Sequence, residues 1–126
     1  MNSQPSATEA VVRNHLQCFL EQRGLAAILS DYEDDACFHS EARSYRGKEQ
    51  IGQFFAGFLA ALPPRAIERF SLRSLRVHGD MAYITWNVGA EIPLGTDTFV
   101  VRGGKIVAQT FAMCMQQPER SNPVPL

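Results

Sequence analysis

Apolar residues recur every three to four positions over the first half of the chain and every two positions over the second, a pattern that predicts helices followed by strands. Ser6-Ala7-Thr8-Glu9 has the form of a capping box, so a helix is expected to begin there. Val12, Leu16, Phe19 and Leu20 make its buried stripe, bordered by Val11, His15 and Cys18, and Gly24 offers a left-handed stop. Leu25, Ile28, Leu29 and Tyr32 keep helical spacing over a short second helix, which Glu33-Asp34-Asp35 closes as a solvated turn. Ala36 to Ser40 alternates as a short strand, with Ala36, Phe38 and Ser40 on one side and Cys37 and His39 on the other. After a polar loop from Glu41 to Gly47, the stripe of Ile51, Phe54, Phe55, Phe58, Leu59 and Leu62 predicts a third helix over Lys48 to Leu62, ended by Pro63-Pro64.

The second half reads as a meander of strands. Phe70 and Leu72 are followed by Leu75 and Val77, a slip of one in the period of two that predicts a bulge near Ser74 and a bent sheet. His78-Gly79-Asp80 turns into a strand from Met81 to Ile92, and Pro93 to Gly95 turns again. Gly95 to Phe111 forms a hairpin joined at Gly103-Gly104, and its last strand runs to Met115. Asp97, Phe99 and Val101 share one face of that hairpin, so a carboxylate is aligned with large apolar side chains. Helices followed by a bent sheet predict an α+β fold in which three N-terminal helices pack on a curved antiparallel sheet wrapped into a cone. One domain over residues 7–115 is expected, with residues 1–6 disordered and a tail over 116–126.

Length and composition narrow the function classes. A chain of 126 residues, 45% hydrophobic, can bury one core. Twelve Lys and Arg against thirteen Asp and Glu give no electrostatic reason to expect nucleic acid or a membrane surface as partner. Cys18, Cys37 and Cys114 are odd in number and sit in apolar surroundings, which predicts buried thiols in a reducing cytoplasm. No apolar run approaches the roughly 18 residues of a membrane span. His15, His39 and His78 share no metal-ligand spacing, and no phosphate loop, nucleophile elbow or dinucleotide fingerprint occurs, so neither metal nor cofactor is expected.

Asp97 is the leading chemical candidate, because a carboxyl among apolar side chains favours its neutral form and can donate a proton; the alternative is an acceptor that secures the strand's start. His15 has the intrinsic pKa for acid–base work and borders the buried face, where a satisfied core histidine is the competing reading. Ser40, Tyr45, Phe55, Trp86 and Phe99 are candidate pocket residues, although Trp86 also suits any core-facing strand. Arg69, Arg73 and Arg76 cluster on one predicted strand and read best as a solvated outer face.

Taken in order, Ala10-Val11-Val12, Tyr32-Glu33-Asp34-Asp35-Ala36, Tyr45-Arg46-Gly47 and Asp97-Thr98-Phe99 leading to Gly104-Lys105-Ile106 give the chain a family resemblance. From about Ala7 to Met115 it resembles the nuclear transport factor 2-like superfamily, and within it the SnoaL-like and ketosteroid isomerase-like proteins. The resemblance implies a deep apolar pocket in the cone's open end holding an acid, a tyrosine and a carboxylate base. Asp97 falls at the acid, His15 or Leu16 near the tyrosine, and Ser40 at the base, a role serine cannot fill. Steroid isomerisation by the family mechanism is therefore not expected.

Two functions fit these residues. The first is an isomerase, cyclase or hydratase acting on a mostly apolar small molecule, with Asp97 as acid and His15 assisting; the second is a non-catalytic ligand-binding or assembly module. A second titrating group within reach of Asp97 would point to the enzyme, and a pocket filled by Phe and Leu to the module. In either case the outer face of the sheet is expected to join two copies through Phe111, Met113 and Met115.

Overall fold

The computed structural model describes residues 6–116. Ser6 caps the first helix, α1 (Ala7–Leu20), by accepting the Glu9 N–H at 3.1 Å, while the Glu9 carboxylate pairs with Arg13 one turn on instead of reaching back to the cap. The left-handed stop after the helix is Gln22 rather than Gly24. Gln22 takes the left-handed conformation at φ 52°, and the Arg23 N–H returns to the Cys18 carbonyl at 3.0 Å, which closes the last turn before Gly24 is reached.

The second helix, α2 (Leu25–Leu29), is shorter than its apolar spacing suggests, and Tyr32 lies outside it. Ser30 stops the helix by donating to the Ala27 carbonyl, and Tyr32 then opens strand β1 (Tyr32–His39) as the partner of Ile106. Strand pairing here outweighs a helical spacing that spans only two turns. Glu33, Asp34 and Asp35 are exposed as expected, yet they belong to the strand: β1 advances five positions from Tyr32 to Cys37 while its partner advances two, from Ile106 to Ala108. The loop expected before the long helix contains a three-residue strand, β2 (Ser44–Arg46), hairpinned onto β1.

The long helix, α3 (Gly47–Ala61), buries Ile51, Gly52 and Phe55, and a single helical turn, α4 (Ala66–Arg69), follows the two prolines. Arg69 therefore belongs to a helix and pairs with Glu91, apart from the exposed Arg73 and Arg76 of β3 (Phe70–His78). The register of β3 on β4 (Met81–Val88) shifts between Leu72 and Ser74, where the broken alternation placed a bulge. The next turn is Gly89 to Glu91, with Gly89 at φ 50° and its N–H on the Arg69 carbonyl, so Pro93 to Gly95 lie inside β5 (Ile92–Arg102). Gly103-Gly104 makes the expected turn into β6 (Lys105–Cys114).

The six strands lie in the order β2-β1-β6-β5-β4-β3, antiparallel except for β1 beside β6, and form a curved, unclosed sheet with the helices on its inner face. The core joins Val12 and Cys18 of α1, Ile28 of α2, and Ile51 and Phe55 of α3 to inward residues of every long strand. Of the cysteines only Cys18 is buried; Cys114 is exposed at the end of β6 and Cys37 is half-buried. Phe111 and Met113 also depart from expectation, because both face the helices: Phe111 pairs with inward Asp97 across the hairpin and stacks on Trp86 and Phe38. Among the described residues no helix is long and apolar enough to cross a membrane. The expected tail, beyond Gln116, and residues 1–5 fall outside the described residues.

Candidate functional site

The concave face of the sheet and the helices over it enclose an apolar cavity of about 70 Å³. Phe19 of α1, Phe55 and Phe58 of α3, Phe99 of β5 and Phe111 of β6 supply most of its wall, and Asp97 and Gln109 lie at its floor. Asp97, His15, Phe55, Trp86 and Phe99 are brought together as the sequence suggested. Ser40 and Tyr45 are not. Ser40 organises the turn after β1, accepting from the Ala42 and Arg43 N–H groups and donating to the Arg43 carbonyl. Tyr45 meets Phe38 and Phe54 edge to face, with the Arg43 guanidinium over its ring, because the β1–β2 hairpin carries it to the far edge of the sheet.

Alternation along β5 turns Asp97 inward beside Phe99. Both carboxylate oxygens are occupied: Trp86 Nε1 donates to Oδ1 at 2.8 Å and Gln109 Nε2 to Oδ2 at 2.8 Å. Gln109 in turn accepts from the Tyr32 hydroxyl at 2.5 Å, and His15 Nε2 stands 3.4 Å from that hydroxyl. A buried polar chain thus crosses adjacent strands, from His15 on α1 through Tyr32, Gln109 and Asp97 to Trp86 on β1, β6, β5 and β4. With the Tyr32 proton on Gln109, His15 carries its own proton on Nε2, and every donor in the chain points toward Asp97. His15 Nδ1 is left without a partner, 4.0 Å from Asp31 Oδ2.

Burial dominates the proton affinities. It pushes the Asp97 carboxyl up to about 6, against the opposing pull of the Trp86 and Gln109 donors. It pushes the His15 imidazole down to about 3, so this ring is neutral at neutral pH. Burial, then the nearby Asp97 and Asp31 charges, hold the Tyr32 proton well above the ordinary phenol range. His15 makes no hydrogen bond to Asp97, and the Gln109 amide between Tyr32 and Asp97 has no readily exchanged proton to pass on. Asp97 therefore titrates without a directly bonded acid–base partner.

Tyr32 and Gln109 are the site residues that sequence reasoning missed. The helical spacing of Leu25 to Tyr32 hid the first. For the second, counting back from the Gly103-Gly104 turn pairs Phe99 with Ala108, but a register shift between Val100 and Val101 moves it to Gln109. That slip puts an amide, not a small apolar residue, on the floor next to Asp97.

Gly95 seats the indole. A Cβ there would lie 2.2 Å from Cε2 of Trp86, so only glycine lets the ring lie flat across β5 with its N–H on Asp97. Gly95→Ala is expected to destabilise the fold by about 1 to 3 kcal/mol, the usual cost of overpacking. It should also shift the emission of Trp86, the protein's single tryptophan. Unchanged emission and unchanged melting would show that the indole does not rest on Gly95.

A family model for the SnoaL-like domain matches residues 12–109. Among solved structures, a SnoaL-like protein of unknown function from Burkholderia thailandensis superposes with TM-score 0.69 at 19% identity, covering 90% of this chain and 99% of that one. A candidate ketosteroid isomerase from Kribbella flavida gives TM-score 0.64 at 18% identity, covering 94% and 83%. TerC, co-crystallised with polyporic acid, gives 0.67 at 16%, covering 86% and 92%. At these identities the likeness is one of fold. No protein of curated function matches the sequence.

Proposed function

The chain belongs to the SnoaL-like domain family, and from that premise we propose that it binds a small, mostly apolar molecule in the cavity above Asp97. The observation that carries this reading is the environment of Asp97, a lone carboxylate held by two non-titrating donors, Trp86 and Gln109, under an apolar roof. Binding is favoured over acid–base chemistry because no second titrating group bonds Asp97 and because phenylalanine and leucine side chains make up most of the lining. TerC, a protein of the same fold, was crystallised with a small organic molecule. The test is native mass spectrometry of gently purified protein, with a thermal-shift screen of apolar alcohols and ketones. A retained adduct or a saturable shift is expected; a bare protein mass together with no shift from any compound overturns the reading.

One observation favours a second reading, an isomerase, cyclase or hydratase. A carboxyl pushed up to about 6 is matched to proton abstraction near neutral pH, where it is mostly ionised yet still basic. In that case Asp97 works alone, as base rather than acid, with His15 confined to the chain behind it.

The same proposal includes a homodimer through the sheet's outer face, on residues other than Phe111 and Met113. Tyr83, Thr85, Thr96, Thr98 and Thr110 form adjacent cross-strand pairs there, uncovered by any element among the described residues, with Met81 half exposed beside them and Arg76 at the border next to Tyr83. A patch of uncharged side chains can meet its own copy about a two-fold axis without opposing like charges. Light scattering at micromolar concentration should give twice the chain mass, and Thr98→Arg should halve it. A monomer mass for the unaltered protein would remove the dimer.

A further inference from the structure

The polar floor of the cavity consists of donors that converge on one acceptor. An indole N–H can only donate, so Asp97 Oδ1 is an acceptor; the Tyr32 hydroxyl on Gln109 Oε1 turns the other end of that amide, an N–H, onto Oδ2. The indole N–H and one of the two Gln109 amide hydrogens are used on Asp97. A carboxylate has about four lone-pair sites, of which two are filled here. Acceptor sites on the floor therefore outnumber the one remaining Gln109 amide hydrogen, and what is left to a visitor at Asp97 is an acceptor. A carbonyl, an ether oxygen or a carboxylate brought to it would meet unshared electron pairs.

The space also limits shape. About 70 Å³ is less than half of the roughly 150 Å³ apolar cavity that admits benzene, so a fused-ring skeleton does not fit, whereas a chain of single-carbon width does. The cavity adjoins a larger, open groove of about 520 Å³, and the two share Phe19, Leu62, Ala66 and Ile67 as their common boundary. Gln22 and Arg65 line that outer groove, and they are the only non-glycine residues with a left-handed backbone among the described residues, at φ 52° and 61°. Such conformations are uncommon and gather where ligands are clamped.

We infer that the occupant is a slender apolar molecule with a terminal hydroxyl group: the hydroxyl donates to Asp97 at the floor, and the apolar body passes Phe19, Leu62, Ala66 and Ile67 toward the outer groove. This rests on the cavity being a ligand site, as proposed above, and adds the polarity and shape of what it takes. A buried acceptor discriminates, since a ligand without the matching hydrogen leaves the two remaining lone-pair sites of the carboxylate stripped of solvent and without a partner.

Trp86 lies at the floor and is the only tryptophan, so its fluorescence reports on the site directly. The experiment titrates the protein with 1-hexanol, 1-methoxypentane and 2-hexanone, three molecules of equal heavy-atom count. A saturable change is expected for hexanol at a concentration about tenfold or more below that needed for the ether or the ketone. In Asp97→Asn, whose side chain offers both a donor and an acceptor, that preference should shrink to about two- or threefold. An ether or ketone that binds the unaltered protein as tightly as hexanol overturns the inference and leaves the ligand site standing. No response to any of the three, up to their solubility limits, overturns the inference, and together with a bare protein mass by native mass spectrometry and no thermal shift it overturns the proposed function as well.

Discussion

Replacing Phe55 by alanine is expected to lower the melting temperature by roughly 10 to 20 °C. Phe55 is 4% exposed, and its ring meets those of His15, Phe19, Tyr32, Phe38, Phe54 and Phe58. It therefore joins α1, α3 and β1 at one point. Truncating a buried phenylalanine costs about 3 to 5 kcal/mol, against a net stability of roughly 5 to 15 kcal/mol for a domain. In a chain of this length each kcal/mol corresponds to a few degrees. Phe58→Ala should cost less, because Phe58 is half-buried at the cavity wall, where part of its surface already lacks protein neighbours. Scanning calorimetry on both variants checks the order as well as the size. Melting of Phe55→Ala within a degree or two of the parent would mean that α3 does not pack on the sheet through this ring.

The contrast between Phe55 and Gln109 shows how much of the site was legible in the sequence. Phe55 announces itself, because five apolar residues, Ile51, Phe54, Phe58, Leu59 and Leu62, repeat at helical spacing around it and a helix's buried stripe is a local property. Asp97 was legible for a similar reason: the strand period placed it beside Phe99 and Val101, and Gly103-Gly104 fixed the hairpin. Gln109 and Tyr32 were not, since each owes its place to an irregular register, between Val100 and Val101 for one and between Tyr32 and Cys37 for the other. Slips of this kind are set by how a sheet curves over its helices; the one near Ser74 broke the apolar alternation, whereas these two did not. Ser40 and Tyr45 were misplaced by the same limit. Alternation put Ser40 on the side of Phe38, but it lies in the turn after β1, and Tyr45, in the expected loop, sits on edge strand β2, where it packs on Phe38 and Phe54 away from the cavity. The outer face was misjudged because both sides of β6 are apolar, and only pairing with β5 shows that Phe111 and Met113 belong inside.

Asp97→Asn is expected to be at least as stable as the parent at pH 8, with a gain bounded by about 3 kcal/mol. The bound follows from the shift of the carboxyl from 3.8 to about 6, at about 1.4 kcal/mol for each tenfold change in proton affinity. The folded state holds the proton more tightly than the unfolded chain. Its contribution to stability is thus full below about pH 4, lost as pH rises to about 6, and absent above. The asparagine variant lacks this loss, so the stability difference between variant and parent should grow in the variant's favour across that window and stay level beyond it. Asparagine can be accommodated if the polar chain reverses: its Nδ2 donates to Gln109 Oε1, the turned Gln109 amide donates to Tyr32, and the Tyr32 hydroxyl donates to His15 Nε2. The imidazole proton then moves to Nδ1, which has no partner in the parent and lies 4.0 Å from Asp31 Oδ2. The groups that face this chain are His15, Tyr32 and Asp31, and His15 stays neutral throughout the window because its own pKa is pushed down to about 3. Nitrogen-15 NMR of the imidazole should accordingly report an Nε2–H ring in the parent at pH 8 and an Nδ1–H ring in Asp97→Asn. An unchanged tautomer, with a loss of several kcal/mol at pH 8, would instead make Asp97 a fixed structural acceptor for Trp86 and Gln109, and the catalytic reading would lose its only base.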